Sequence, residues 1–277
     1  MSAILAIHAH PDDIEILAGG TLALLRGLGH HVAIITATAG EGGSADQPPE
    51  VIADIRKREA GRSAAVIGAD YRCLGLSDLA VFNDDASRRI VTEALRAARP
   101  SIVLAPSPVD YHPDHEVVSV LVRDACFAAS VPNYRTGPAS ALDAIPHLYF
   151  MDPIGGRDRD GRPSPVDFAV DVGAVFAKKR AMLAAHESQN VWVARQHDIV
   201  DQSASMEAWT RKRGRDFGVE LAEGFRQYRH HPYPAAPALQ GLVASALLIR
   251  QGELGADALE GVAETEKARL RPGGADE

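Results

Sequence analysis

The chain has 277 residues, 46% of them hydrophobic and 24% charged, the balance of a soluble globular protein, which excludes disorder and fibrous repeats. A formal charge of −8, from 29 Lys+Arg against 37 Asp+Glu, offers no clustered positive surface, so neither nucleic acid nor anionic lipid is expected as a partner. Two cysteines, Cys73 and Cys126, build no disulfide framework and no CxxC pair, which excludes thiolate metal chemistry and fits a reducing, cytoplasmic setting.

Ala3 to Ala9 is a nearly continuous apolar run that predicts a strand buried on both faces. No basic residues precede it, and histidines and aspartates cut the apolar run short, so it is expected to be neither signal peptide nor membrane span. Apolar residues at helical spacing predict a helix over Ile14 to Gly29, with the glycine where a C-terminal cap belongs. Val32 to Ala37 repeats the strand pattern, and Val51 to Gly68 comes next as a helix rich in Ala, Arg and Glu. Arg72 to Leu76 is a third strand, Ser87 to Ala98 a helix and Ser101 to Ala105 a fourth strand. Then come a helix from Glu116 to Ala128, a Gly/Pro loop to Pro146, strands at His147–Met151 and Phe168–Val172, and helices over Ala174–His186 and Ser203–Phe217. Alternating strands and helices predict an α/β fold: a doubly wound, mostly parallel, Rossmann-like sheet flanked by helices. Three prolines, Pro232, Pro234 and Pro237, then mark a linker or chain reversal before a helical C-terminal extension with an apolar stretch over Ala238 to Ile249. That stretch falls short of the roughly 20 residues that cross a bilayer. Its Leu239, Leu242, Val243, Leu247 and Leu248 are expected to bury against the domain or against a second subunit, so a homo-oligomer is one expectation.

Two tetrapeptides stand apart from this scaffold. His10-Pro11-Asp12-Asp13 succeeds the first strand, and His112-Pro113-Asp114-His115 lies in the loop past the strand that ends before Pro106. In an open α/β sheet, ligands bind beyond the carboxyl ends of the strands, where both motifs fall. Either one alone has a structural explanation, since Asp after Pro is a common helix N-cap. Together they hold three histidines and three aspartates in eight residues, which cannot be buried without pairing or a metal. His10 and Asp13 can face one point across a strand-to-helix junction, and His115 can supply a third ligand from the other loop. Two imidazoles and one carboxylate with an open fourth position suit catalytic zinc, with bonds of about 2.0 to 2.2 Å. Asp12, beside a ligand but not needed as one, is then placed to take a proton from a metal-activated water. His112 can donate to the oxygen of a tetrahedral intermediate.

These motifs, with Ala18-Gly19-Gly20, the TAGEGG loop over Thr38 to Gly43, Arg56-Lys57-Arg58-Glu59 and FAKKRAMLAAHESQ over Phe176 to Gln189, resemble the PIG-L or LmbE-like N-acetylglucosaminide deacetylases over about residues 3 to 230. The resemblance implies zinc, or another divalent metal, on His10, Asp13 and His115, with Asp12 as general base and His112 as acid or oxyanion stabiliser. It implies that Asp114 orients a ligand imidazole. It also implies a small-molecule N-acetylated amino-sugar substrate, cleaved to acetate and an amine. The chain then divides into a catalytic domain, residues 1–231, and a Pro-rich linker with helical extension, residues 232–277. Among further residues, Glu41 precedes two glycines that permit close backbone approach to a ligand. Arg56 is expected to clamp a sugar or acid group, and Asp110 and Tyr111 to line the pocket. His8 shares the face of His10 and is expected behind the ligands or in the core. Two rival readings are a hydratase of an unsaturated oxo-acid on the same scaffold and a catalytically silent sugar- or metal-binding protein.

Overall fold

A computed structural model describes residues 1–189 and 201–249 of the chain. The acidic tail beyond Gly252 lies outside the described residues. The strands are β1 (Ala3–His8), β2 (His31–Thr38), β3 (Asp70–Leu76), β4 (Ile102–Ala105), β5 (His147–Met151), β6 (Phe168–Asp171), β7 (Ala222–Tyr228) and β8 (Leu247–Leu248). The helices are α1 (Asp13–Gly27), α2 (Pro49–Ile67), α3 (Asp85–Ala98), α4 (Pro113–Ala129), α5 (Phe176–Ala184), α6 (Gln202–Asp216) and α7 (Ala238–Leu242).

These eight strands form one sheet in the order β3-β2-β1-β4-β5-β7-β6-β8. The five strands from β3 to β5 are parallel, and β7, β6 and β8 extend them antiparallel. The expected doubly wound, mostly parallel α/β sheet is therefore the fold. Side-chain alternation explains the two layers. Along β1, Ile4 and Ala6 join the core beneath α1, α2 and α5, whereas Leu5 and Ile7 join the core beneath α3 and α4. A strand buried on both faces reads as a continuous apolar run, as β1 does. The chain winds outward from β1 through β2 to β3, then returns to lay β4 on the other side of β1. That reversal opens a crevice at the carboxyl ends of β1 and β4.

Two elements differ from expectation. The strand β7 has no apolar run to announce it, because AEGFRQY carries Glu223 and Arg226. Glu223 is nonetheless buried, paired with the equally buried Lys179 of α5 at 2.5 Å. Its two carboxylate oxygens accept the backbone N–H groups of Gly20 and Thr21 within α1, at 2.8 and 2.7 Å, while Lys179 donates to the carbonyl of Ile16 at 2.8 Å. A buried ion pair thus holds the middle of the helix whose start carries Asp13. The second difference is the apolar stretch over Ala238 to Ile249, which is not one helix. The helix ends at Leu242, and Leu247–Leu248 pair with the open edge of β6, where their backbone groups find partners. Leu239 and Val243 are fully buried in the same core as α1, so these two side chains are covered by their own chain. Among the described residues no helix is long and apolar enough to cross a membrane.

Candidate metal centre

The first motif sits on the turn from β1 into α1. Asp12 is the N-cap of α1 with φ 93°, a left-handed conformation that costs a residue with a β-carbon about 1–3 kcal/mol and that clusters at functional sites. The second motif starts α4 and does not lie in a loop: His112 is the N-cap, Pro113 takes the first turn, and Asp114 and His115 come next on the helix. Proline suits that position because its missing N–H is not needed there.

Three donor atoms converge between these two helix starts. His10 Nδ1 lies 3.2 Å from His115 Nε2 and 3.4 Å from Asp13 Oδ2, and His115 Nε2 lies 3.3 Å from the same Asp13 oxygen. Tetrahedral zinc with bonds of about 2.0 to 2.2 Å needs ligand atoms about 3.3 to 3.6 Å apart, so the triangle fits the ion. The outer ring nitrogens also agree. His115 Nδ1 is 3.0 Å from Asp110 Oδ1, and His10 Nε2 is 3.2 Å from Asp78 and 3.3 Å from Asp114. A carboxylate behind each imidazole takes its N–H and turns the other nitrogen's lone pair inward. The carboxylates of Asp12, Asp13, Asp78, Asp110 and Asp114 outnumber the imidazoles of His8, His10, His112 and His115, leaving the negative excess that suits a divalent cation. His8 stands behind the triangle, its Nδ1 2.6 Å from Asp13. Other groupings of the same side chains, His10 with His112 and His115 among them, also bring ligand atoms close together.

Asp12 is buried beside Asp13 without joining the triangle. Burial, then the adjacent Asp13 charge, push its carboxyl up to about 7, against the pull of His186 and the Gln202 amide. A carboxylate tuned near neutrality is suited to proton transfer. His112 is held below the usual imidazole range by its burial and by His10 and His115. Its Nδ1 accepts the backbone N–H of Asp114 at 3.2 Å, so the neutral ring carries its proton on Nε2.

These groups face a cavity of about 600 Å³, whose wall includes His10, Asp12, Asp13, Arg56, Asp78, Tyr111, His112, His115 and Trp209. Of the remaining expected site residues, Arg56 lines the cavity but spends its guanidinium on the carbonyls of Gly40 and Gly43. Glu41 accepts the backbone N–H of Asp78 at 2.8 Å, and Asp78 accepts that of Gly42 at 2.9 Å, which latches the TAGEGG loop to the loop after β3. Asp110 lies beneath His115, and Tyr111 stands exposed at the rim. Sequence reasoning missed Asp78 and Gln202. Asp78 stands just past a strand's carboxyl end, a signal available in the sequence. Gln202 carries no such signal.

The family model described as PIG-L: GlcNAc-PI de-N-acetylase matches residues 5–126, which include both motifs. A diacetylchitobiose deacetylase of Thermococcus kodakarensis is 29% identical over 204 residues, covering 68% of this chain and 72% of that protein. A 4-oxalmesaconate hydratase of Pseudomonas putida is 25% identical over 197 residues, covering 68% and 74%. Among solved structures, the conserved protein TT1542 of Thermus thermophilus superposes with a TM-score of 0.69 at 28% identity, covering 84% of this chain and 98% of that one. With the paired motifs on the switch point of a doubly wound sheet, the chain is similar to PIG-L/LmbE-like proteins, most directly over residues 5–126, which carry both motifs.

Proposed function

We propose that this protein is a metal-dependent hydrolase that removes an N-acetyl, or other N-acyl, group from a glucosamine-containing small molecule. The observation that carries the reading is the triangle of His10 Nδ1, Asp13 Oδ2 and His115 Nε2, with edges of 3.2 to 3.4 Å, beside a buried Asp12 that stays outside it. These three residues would hold zinc or another divalent ion. When bound there, the ion supplies Lewis acidity to the acyl carbonyl and to the attacking water.

Asp12 takes one proton from the water as its oxygen bonds to the acyl carbon. The Nε2–H of His112 donates to the oxyanion that develops on the former carbonyl oxygen. The acyl carbon–nitrogen bond then breaks as the proton held by Asp12 passes to the departing nitrogen, which leaves as an amine beside a carboxylic acid that then ionises to the carboxylate. Asp78, Asp110 and Asp114 keep the two ligand imidazoles turned inward. Arg56 and Glu41 shape the loop over the cavity, and Tyr111 meets the substrate at the rim. All of these residues fall within residues 1–231, which we assign as the catalytic unit, with residues 232–277 as its extension.

The hydratase relative makes addition of water to an unsaturated oxo-acid the rival reaction. A polycarboxylate calls for cationic partners. Among the described residues, Arg56 is the one Lys or Arg lining the cavity, and its guanidinium is already engaged by two carbonyls. A neutral amino sugar makes no such demand. The test is a panel of N-acylated glucosaminides assayed for amine and carboxylate release, beside an unsaturated oxo-acid assayed for hydration. Amine release is expected; hydration without amine release would overturn the reading.

A further inference from the structure

Gln202 opens α6 and is 5% exposed. Its Nε2 donates to Asp12 Oδ2 at 2.5 Å, while its Oε1 is buried with no partner among the described residues. The amide cannot be turned over, because Oε1 would then face the Asp12 carboxylate. Gln189 lines the same cavity, and its Oε1 is likewise buried with no partner among the described residues. Leaving a buried acceptor unsatisfied costs roughly 1–3 kcal/mol, and folded proteins rarely tolerate it without a reason. Both residues line the one cavity, so donors for these two oxygens are expected from whatever fills it.

We propose that Gln202 binds the substrate and positions the base: its NH₂ group fixes Asp12, and its Oε1 accepts the N–H of the N-acyl group being cleaved. Gln189 Oε1 accepts a second donor, a sugar hydroxyl. The inference rests on the amide-hydrolysis reading and sharpens it. A base that hands its proton to the departing nitrogen must stand close to it, so a side chain touching Asp12 is within reach of the same N–H. The substrates selected are therefore secondary amides flanked by hydroxyls. An ester of the same shape offers Gln202 no donor, and a site that hydrogen-bonds a substrate N–H discriminates against the analogue that lacks it.

The test uses the full-length, metal-loaded protein with two probes, methyl 2-acetamido-2-deoxyglucopyranoside and methyl 2-O-acetylglucopyranoside, an amide and its ester counterpart. Gln202→Met is expected to lower kcat/KM for the amide roughly 100-fold and for the ester less than about 10-fold, as loss of one directed hydrogen bond does, with bound metal unchanged. Gln202→Glu keeps an acceptor oxygen and is expected to lower both rates while retaining the amide preference. Gln189→Met should raise KM and leave kcat in place. Equal losses on amide and ester in Gln202→Met, or no loss on either, would overturn the inference while leaving amide hydrolysis standing. A wild-type protein that releases no amine would remove the amide-hydrolysis reading itself, and the inference with it.

Discussion

Asp110 Oδ1 lies 3.0 Å from His115 Nδ1, with both side chains shielded from solvent, and the other Asp110 oxygen accepts the backbone N–H of Ile154 at 3.1 Å. The carboxylate is tied to the backbone of Ile154 on one side and to the His115 imidazole on the other, so it fixes the ring's tautomer and tilt. Asp110→Ala frees the ring and should weaken metal affinity about 10- to 100-fold. Competition with a chromophoric chelator measures this directly, and unchanged affinity would show that Asp110 does not orient the ligand.

Asp12 and His115 should separate cleanly. Asp12→Ala is expected to lower turnover about 10²- to 10⁴-fold, the range for loss of a general base, with metal still bound. His115→Ala removes a corner of the triangle and should lose the metal itself. Elemental analysis of both variants beside their rates checks the division; an Asp12→Ala protein with full activity would remove its assignment as base.

Lys179 and Glu223 form a pair with 0 and 1% side-chain exposure. Removing one partner leaves a buried charge, so Lys179→Met should destabilise the fold by about 3–5 kcal/mol in guanidinium unfolding. Adding Glu223→Gln should recover part of that loss, because the uncompensated charge disappears. A double variant no more stable than the single one would show that the carboxylate's two bonds to α1 matter more than its charge.

Gly20 lies where α1 crosses the strand-end residue Val172: a β-carbon there would meet Val172 Cβ at 2.7 Å and Glu223 Oε1 at 3.0 Å. Gly20→Ala should therefore cost about 1–3 kcal/mol by overpacking. Val172→Ala in the same chain removes Cγ1, which also stands at 2.7 Å, and should offset part of the penalty; a thermal-unfolding cycle over the four proteins reads the coupling.

The parallel half of the sheet is legible in the sequence because each of its inner strands is buried on both faces and appears as a short apolar run, as in ILAI or SIVLA. The motifs are legible for a related reason: sheet topology puts ligands at strand ends, and both tetrapeptides come after strands. Among the inner strands β7 is the hidden one, since its Glu223 is charged and becomes a core residue solely through Lys179 and the helix it holds.

What the sequence determined by itself is the scaffold and the two His/Asp motifs at its strand ends, because helical and strand periodicity and local motifs are properties of neighbours along the chain. Tertiary structure alone decided which carboxylate stands behind which imidazole. Asp110, not Asp114, took His115, and Asp78 joined Asp114 on His10. It also brought Gln202 to Asp12 across 190 residues of sequence. Such pairings depend on angstrom-scale approach between loops that only the folded sheet holds in register, and no spacing along the chain encodes them.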